Sequence, residues 1–264
     1  MIFADVRNPA KRLWIWVFVL TTVTALWPVG SRITRLTFVL GAAAIWIGAL
    51  ALWWKAMAIR YGLIAAAACP ALALCLPGRP VDPAFLAADY SRSVRSFLGV
   101  RYLWGGENFL GIDCSGFVRK GLIWRLGLHG LRTLNGRPIR DALSLWFHDS
   151  SARAFRDGYR GWTVELFRAA SVESADHSRL RPGDLAVTAD GIHIMAYLGN
   201  RTWIEADPGA NKVIELALPT DNSWFKVPVV FVRWKWLGLA GLGNMNQPVE
   251  NIRAFEIQRA ILAS

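Results

Sequence analysis

The side chains of Cys114 and His193 could form a nucleophile–base pair. Cys114 follows a glycine-rich loop (101–113) and precedes apolar residues at helical spacing, which predicts a helix over 114–126 that Gly127 ends. The thiol then lies at a helix N-terminus, where backbone N–H groups and the helix dipole favour the thiolate. A histidine within hydrogen-bond reach is the usual base for such a nucleophile.

His193 is the best placed of the four histidines. It lies in 192–198, where residues alternate as in a strand, and a hairpin turn is predicted at Gly199-Asn200. A histidine on a strand facing a cysteine at a helix N-terminus is the arrangement of papain-like cysteine hydrolases. The other three histidines are predicted in loops or at a helix end, where surface positions are common: His129, His148 and His177.

The remaining cysteines, Cys69 and Cys75, lie in an apolar stretch and are predicted to be small apolar residues of a membrane helix. Cys114 is then unpaired, as a catalytic thiol must be. No CxxC pair or Cys/His spacing indicates zinc. The predicted chemistry requires no metal and no cofactor.

Four motifs, in one order along the chain, resemble those of the NlpC/P60 family, papain-like cysteine peptidases that mostly act on bacterial cell-wall peptides. The resemblance covers about 83–236. It implies an α+β papain-like domain with the catalytic helix packed on an antiparallel sheet, preceded here by an all-α transmembrane region. The motifs are Tyr102-x-Trp104-Gly105-Gly106, Asp113-Cys114-Ser115-Gly116-Phe117-Val118, Arg181-Pro182-Gly183-Asp184-Leu185 and Gly191-x-His193-x-x-x-Tyr197-Leu198-Gly199.

The resemblance also implies a third catalytic residue. A polar group should orient the imidazole, and the family carries it on the strand after the histidine hairpin, often as His, Asn or Gln. Glu205 aligns with that position, and as a carboxylate it would stabilise the imidazolium. Asp207 is the alternative, although we expect it on the opposite face of the strand. A surface position for Glu205 is the non-catalytic interpretation.

Three substrate contacts follow from the same resemblance. In the family the tyrosine of the first motif lines the cleft, which corresponds to Tyr102. The aspartate before the cysteine and the serine after it bind the free amine of a stem peptide, which corresponds to Asp113 and Ser115. A carboxylate in a cleft binds an ammonium through charge-assisted hydrogen bonds. Their structural alternatives are a helix N-cap for Asp113 and core packing for Tyr102.

Composition indicates a membrane protein with a basic surface. The 264 residues are 54% hydrophobic with mean hydropathy +0.30, and the net charge is +11 with a pI of about 10.2. The basic residues form no dense run and no nucleic-acid motif is visible, so we expect no nucleic-acid partner. The charge fits a lipid bilayer or anionic cell-wall polymers. A solvated basic surface beside a membrane is an equally good interpretation.

Three apolar stretches, 13–29, 36–54 and 61–76, are candidate membrane spans. The first could instead be a cleaved signal peptide, but no small-x-small site follows it, so a retained anchor is favoured. The third contains Pro70 and could span from about Met57 or lie at the interface. The number of spans decides on which side of the membrane the catalytic domain lies.

Positive charges favour a cytoplasmic N-terminus. Five lie in the N-terminal tail and the loop after the second apolar stretch, and three lie in the loop after the first stretch and just after the third. Three spans then place the catalytic domain outside, and two place it in the cytoplasm. We expect three, hence a bacterial inner (cytoplasmic) membrane protein whose catalytic domain faces the periplasm or exterior.

Three regions are predicted: a membrane anchor of two or three helices (1–78), the NlpC/P60-like catalytic domain (79–237), and a flexible link with a C-terminal amphipathic helix (238–264). Asp82 is expected to cap a helix that begins at Pro83. Further helices are predicted at 138–147 and 163–170, a terminal helix at 248–262, and an antiparallel meander of strands at 185–188, 192–198, 202–206, 212–216 and 227–234.

The sequence therefore predicts a membrane-anchored cysteine hydrolase that cleaves the γ-D-glutamyl amide bond of peptidoglycan stem peptides. One alternative is a thiol hydrolase or acyltransferase of the same superfamily that acts on lipids or acyl groups. Another is a non-catalytic scaffold in a larger membrane complex of unknown partner, with the insertion 127–181 occluding the cleft.

Overall fold

A computed structural model describes residues 8–238, and the helix predicted at 248–262 lies outside the described residues. Three helices come first: α1 (Pro9–Leu26), α2 (Arg32–Leu52) and α3 (Met57–Cys75). Two of them, α2 and α3, are long and apolar enough to cross a membrane by length and composition. Their apolar side chains are largely exposed, so no core formed by residues 8–238 accounts for their hydrophobicity.

Helices α1 and α2 form a hairpin whose short connection, residues 27–31, we call the α1–α2 loop. Ser31 caps α2 through a capping box with Thr34, which ends the loop sharply. The indole nitrogen of Trp14 donates to the carbonyl of Ile45 at 2.8 Å, which ties the two helices together. A Cβ on Gly48 would lie 2.5 Å from the Trp14 ring, so glycine is needed for this approach.

The α+β domain begins with α4 (Pro83–Arg95), and the predicted cap is confirmed: the Asp82 carboxylate accepts from the Ala84 N–H at 3.0 Å. A two-residue hairpin follows, and then the helix that begins at Cys114. These elements are β1 (Glu107–Asn108), β2 (Gly111–Ile112), α5 (Cys114–Arg132), α6 (Gly136–Phe147) and the short α7 (Ala152–Arg156).

Helix α5 does not end at Gly127 as predicted, but continues to Arg132. Two glycines in its second half face α6: a Cβ on Gly127 would lie 3.9 Å from Ala142, and one on Gly130 only 2.5 Å from Ile139. Gly130 therefore allows close packing of the two helices, and neither glycine ends α5. This tertiary packing outweighs their low helix propensity.

Six strands form one antiparallel sheet: β3 (Thr163–Ala169), β4 (Leu185–Thr188), β5 (Ile194–Gly199), β6 (Thr202–Asp207), β7 (Lys212–Ala217) and β8 (Val229–Trp234). The spatial order is β3-β8-β4-β5-β6-β7. The predicted meander is correct for β4 to β7. It is wrong for the last strand, because β8 returns across the sheet to lie between β3 and β4.

The segment 163–170, predicted as a helix, is strand β3. It pairs with β8 from Thr163 opposite Trp234 to Ala169 opposite Val229, and Phe167 stacks on Phe231 at 4.6 Å. Threonine, valine and phenylalanine fit the pleated surface of a strand, and a free edge at β8 supplies the partner. The segment is too short for the spacing of its apolar residues to distinguish a helix from a strand.

The sheet is covered on both faces. One face packs against α4 and α5 through a core that includes Tyr90, Phe117 and Ile204. The other carries a smaller, aromatic cluster that includes Trp203 and Phe225. Phe225 comes from a 3₁₀ turn, Ser223–Lys226, on the path that returns the chain to β8. Helix α5 thus holds its N-terminus beside β5 and β6.

Candidate active site

Cys114 is the first residue of α5, as predicted, and Asp113 is the N-cap. One Asp113 carboxylate oxygen accepts from the Gly116 N–H at 2.5 Å and from the Ser115 hydroxyl at 3.0 Å. The other oxygen accepts from the Gly105 N–H at 2.9 Å. Asp113 therefore joins the glycine-rich loop to the helix and fixes the position of the thiol.

The environment of Cys114 opposes ionisation of the thiol. Burial, and then the charge of Asp113, raise the pKa of the Cys114 thiol to about 12, while the N–H groups of Ile194, Ser115 and Cys114 itself oppose the rise. Burial and the Asp113 charge thus oppose the thiolate that the backbone N–H groups at the helix N-terminus favour. The side chain is only 7% exposed, and loss of solvation outweighs the helix dipole.

His193 pairs with Glu205 in the protein interior. The imidazole Nε2 lies 2.6 Å from Glu205 Oε2, and both side chains are buried. The Trp224 ring stacks on the imidazole with centroids 4.4 Å apart and an interplanar angle of 19°. Glu205 is therefore not a surface residue, and the imidazole is held from its edge and from its face.

Asn222 links two carboxylates behind the imidazole. Its amide nitrogen donates to Glu205 Oε1 at 2.8 Å and to Asp207 Oδ2 at 3.0 Å. Burial raises the pKa of Glu205, the His193 interaction lowers it, and the charge of Asp207 adds to the rise. The expectation that Asp207 faces away was wrong, because residues two apart in a strand share a face.

Asn222 and Trp224 were missed by the sequence reasoning. They lie in the return path from β7 to β8, where Asn222 caps the 3₁₀ turn that carries Trp224. Their distance from Glu205 along the sequence does not indicate that Asn222 contacts Glu205 or that Trp224 contacts His193. Only the placement of β8 beside β4 brings this turn across the sheet to His193.

His193 directly precedes β5, so the strand begins two residues later than predicted. Its backbone N–H donates to Thr188 Oγ1 at 3.0 Å, and Thr188 Oγ1 donates to Asp190 at 2.6 Å. Gly191 has φ +77°, and a Cβ there would lie 2.7 Å from that of Arg153. This turn therefore sets the backbone that carries the imidazole.

The thiol lies beside the backbone on either side of His193. Cys114 Sγ is 3.8 Å from the carbonyl oxygen of Ile192, and the N–H of Ile194 faces the sulfur. Within residues 8–238 no hydrogen bond joins the sulfur to the imidazole, whose Nδ1 has no hydrogen-bond partner there. The structure thus assembles His193 with Glu205 and sets Cys114 next to the same turn.

A cavity of about 470 Å³ opens at Cys114. Its lining includes the three predicted substrate contacts, Tyr102, Asp113 and Ser115. Burial, followed by the charges of Cys114 and Asp113, raises the pKa of the Tyr102 hydroxyl to about 12. The insertion 127–181 contributes one wall through residues 149–152 and leaves the cavity open.

The α1–α2 loop forms another wall of this cavity, through Val29, Gly30 and Ser31. The Gly30 N–H donates to the carbonyl of Gly105 at 2.9 Å, and the Glu107 N–H donates to the carbonyl of Pro28 at 2.8 Å. The loop therefore pairs with the glycine-rich segment much as a short strand would. The sequence reasoning treated this region as a tether and did not foresee the contact.

The other histidines lie elsewhere: His148 and His177 bond to backbone carbonyls through Nδ1, and His129 lies against Phe85. In the described part of the chain, no three His, Cys, Asp or Glu side chains are grouped so as to hold a metal ion.

The sequence model described as the NlpC/P60 family matches residues 99–233, more than half of the chain. No curated protein matches the chain. Similar solved structures include an NlpC/P60 family protein from Bacillus cereus, with 20% identity and TM-score 0.35 over 56% of this chain and 40% of that one. The present chain thus spans less than half of that protein.

Two further similar structures carry functional names. The peptidoglycan hydrolase RipB from Mycobacterium tuberculosis is 22% identical with TM-score 0.34, over 56% of this chain and 65% of that one. The NlpC/p60 domain of the peptidoglycan hydrolase SagA is 21% identical with TM-score 0.30, over 55% of this chain and 97% of that one.

Proposed function

The chain belongs to the NlpC/P60 family, and we propose on this basis that it is a membrane-anchored cysteine hydrolase of peptidoglycan stem peptides, cutting at the γ-D-glutamyl amide bond. The observation that carries the proposal is the buried His193–Glu205 pair at 2.6 Å, on the turn that also contacts Cys114. A nucleophile, a base and a carboxylate that orients the base are the parts of acyl transfer through a thioester.

Proton transfer starts the proposed reaction. Because burial raises the pKa of Cys114 to about 12, the thiol is the resting form and must lose its proton as it attacks. Nε2 of His193 is engaged by Glu205, so Nδ1 is the nitrogen that accepts this proton. The two groups close to hydrogen-bond distance when substrate fills the cavity. Glu205 then stabilises the imidazolium.

The thiolate sulfur attacks the amide carbonyl, and the carbonyl oxygen acquires negative charge. The backbone N–H of Cys114 at the start of α5 is the proposed donor to that oxyanion. The imidazolium of His193 gives its proton to the leaving amine as the C–N bond breaks. Water, deprotonated by the same imidazole, then hydrolyses the thioester and restores the thiol.

The carboxylates in the cavity wall favour a peptide with a free amine over a lipid at Cys114. Asp113, Ser115 and Asp149 line it, and the two carboxylates provide negative charge for the free amine of a stem peptide. Asp113 already accepts three hydrogen bonds, so we propose that it attracts the ammonium mainly by its charge. A thiol hydrolase of lipids would need an apolar cleft at this position.

We further propose that the catalytic domain lies outside the cytoplasm. The α1–α2 loop and the C-terminal end of α3 both contact the catalytic domain, the latter through Arg140, which donates to the Leu74 carbonyl at 2.6 Å. The start of α2 and the end of α3 therefore both lie at the catalytic domain. This fits an α2–α3 hairpin that crosses the membrane twice and returns to the side on which it started. With a cytoplasmic N-terminus and α1 as the first span, that side is the exterior.

Digestion of purified stem peptides by the full-length, detergent-solubilised protein tests the chemistry, with products read by mass spectrometry. Wild type and Cys69→Ala are expected to release the same fragment, whose mass identifies the bond, and Cys114→Ala is expected to release none. Cys69 is a matched control because it lies in α3, away from the cavity. Cleavage by Cys114→Ala would contradict the proposal.

Labelling of intact cells with a membrane-impermeant maleimide tests the topology. Asp221→Cys places a thiol on a fully exposed side-chain position of the catalytic domain, and Lys55→Cys places one in the exposed α2–α3 connection. We expect labelling at 221 in intact spheroplasts and at 55 only after lysis, with wild type as the blank. The reverse pattern would put the domain in the cytoplasm.

A further inference from the structure

A second cavity, of about 180 Å³, lies where the membrane hairpin meets the catalytic domain. It is lined by the ends of α1 and α2 on one side and by α5 and α6 on the other, including Trp27, Arg35, Lys120 and Trp146. We propose that this cavity binds the phosphate of an anionic membrane lipid. The proposal rests on the proposed membrane position of α2 and does not depend on the peptidase activity.

Arg35 is the first part of the argument. It lies in the second turn of α2, and only 4% of it is exposed. Its Nη2 meets a carboxylate oxygen of Glu107, but Nε and Nη1 are buried without a hydrogen-bond partner in the part of the chain that the structure describes. Buried donors without acceptors are costly, and a planar guanidinium is suited to two phosphate oxygens.

The charges around Arg35 do not balance. Arg119 is also buried and meets Glu107, and its Nη1 lies 3.5 Å from Asp149. The same Asp149 oxygen lies 3.8 Å from Arg35 Nη2. Two carboxylates thus serve two arginines, and Lys120 adds a third cation to the group.

Lys120 lines the cavity and has no hydrogen-bond or ion-pair partner among residues 8–238. Burial, then the charges of Arg119 and Arg35, lower the pKa of its ammonium to about 8. A bound anion would relieve this repulsion and supply the missing acceptor. The cavity therefore has an excess of positive charge and hydrogen-bond donors without acceptors.

The surroundings favour a lipid over a soluble anion. The cavity wall includes the last turn of α1 and the first turns of α2, at the end of the proposed spans. Trp146 also lines a separate groove of about 340 Å³ between the end of α3 and helices α5 and α6. That groove is lined almost wholly by apolar side chains, including Leu74 and Leu143, and could take an acyl chain while the phosphate meets Arg35.

Native mass spectrometry of the full-length protein in detergent tests the proposal. The probes are phosphatidylglycerol, phosphatidylcholine, glycerol phosphate and inorganic phosphate, each added at equal concentration. We expect wild type to retain phosphatidylglycerol, with about tenfold weaker retention of phosphatidylcholine, because the zwitterionic headgroup does not supply the net negative charge. Neither soluble phosphate should be retained comparably.

Variants locate the binding. Lys120→Gln and Arg35→Gln are each expected to weaken retention of phosphatidylglycerol about tenfold. Arg32→Gln, an exposed arginine one turn earlier on the same helix, is the matched control and should bind as wild type does. Arg35→Gln also removes a partner of Glu107, so Lys120→Gln, which breaks no hydrogen bond or ion pair among residues 8–238, is the deciding variant.

Equal retention of phosphatidylglycerol by Lys120→Gln and Arg32→Gln would overturn the proposal. Retention of glycerol phosphate or inorganic phosphate as strong as that of the lipid, and lost in Lys120→Gln, would establish a site for soluble anions and overturn the lipid assignment. These results are independent of stem-peptide cleavage, and a failure of the membrane placement would be seen separately in the maleimide labelling.

Discussion

Replacing Glu205 with glutamine isolates the charge behind the imidazole. Glutamine has nearly the same size, and its side-chain oxygen can still accept from His193 Nε2 at the 2.6 Å position. What is lost is the negative charge that stabilises the imidazolium in a buried site, together with the oxygen that accepts from the Asn222 amide, whose position the glutamine nitrogen takes. The variant therefore separates orientation of the ring from electrostatic stabilisation.

The expected loss follows from the energy of a charged hydrogen bond. Such a bond contributes about 1.5–3 kcal/mol and the neutral bond that replaces it about 0.5–1.5 kcal/mol. The difference of about 1–1.5 kcal/mol, added to the barrier, lowers kcat about 5- to 13-fold. KM should stay close to that of wild type, because Glu205 is buried behind His193 and is not among the residues that line the Cys114 cavity. The assay is initial-rate cleavage of a purified stem peptide.

Asp207→Asn is the matched control, because Asp207 shares Asn222 with Glu205 but does not touch His193. The charge of Asp207 raises the pKa of Glu205, so its removal lowers that pKa. Activity is expected to fall as pH drops through the pKa of Glu205, and in Asp207→Asn this acid limb should move to lower pH, with kcat at neutral pH retained. If Glu205→Gln kept the kcat of wild type, the role assigned to the carboxylate would be refuted.

Two more predictions concern α5. Asp113→Asn should speed alkylation of Cys114 by iodoacetamide at pH 8, followed by peptide mass spectrometry, because the Asp113 charge raises the thiol pKa. An unchanged rate would contradict that. Gly130→Ala should lower the free energy of unfolding by about 1–3 kcal/mol, since its Cβ would lie 2.5 Å from Ile139. Gly127→Ala should not lower the free energy of unfolding, because its Cβ would lie 3.9 Å from Ala142, an ordinary contact distance. Equal denaturation midpoints for the two variants would refute the packing argument.

The sequence was most informative where chemistry and local structure coincide. The cysteine at the start of α5 and the turn after Gly199 could both be predicted, because a cap and a two-residue hairpin are local patterns. The pairing of His193 with Glu205 could also be predicted, because the resemblance to a family aligned the strand of Glu205 with that of His193.

The errors have a common cause in contacts between distant segments. Strand β3 is a strand because β8 returns beside it, and α5 continues through Gly130 because α6 packs there. Asn222 reaches Glu205 for the same reason. None of these contacts leaves a period or motif in the local sequence. Residue spacing therefore identified reactive groups better than it identified their neighbours.

The α1–α2 loop has a practical consequence for any study of the isolated catalytic domain. A fragment that begins at Gly78 keeps the cysteine, the histidine and the glutamate, but it lacks the wall that Val29 and Gly30 contribute. It also leaves Glu107 without Arg35. We expect such a fragment to have a wider cleft, and therefore a substrate selectivity that differs from that of the intact chain. The α1–α2 loop is therefore a component of the cleft, and a different N-terminal segment would reshape that wall.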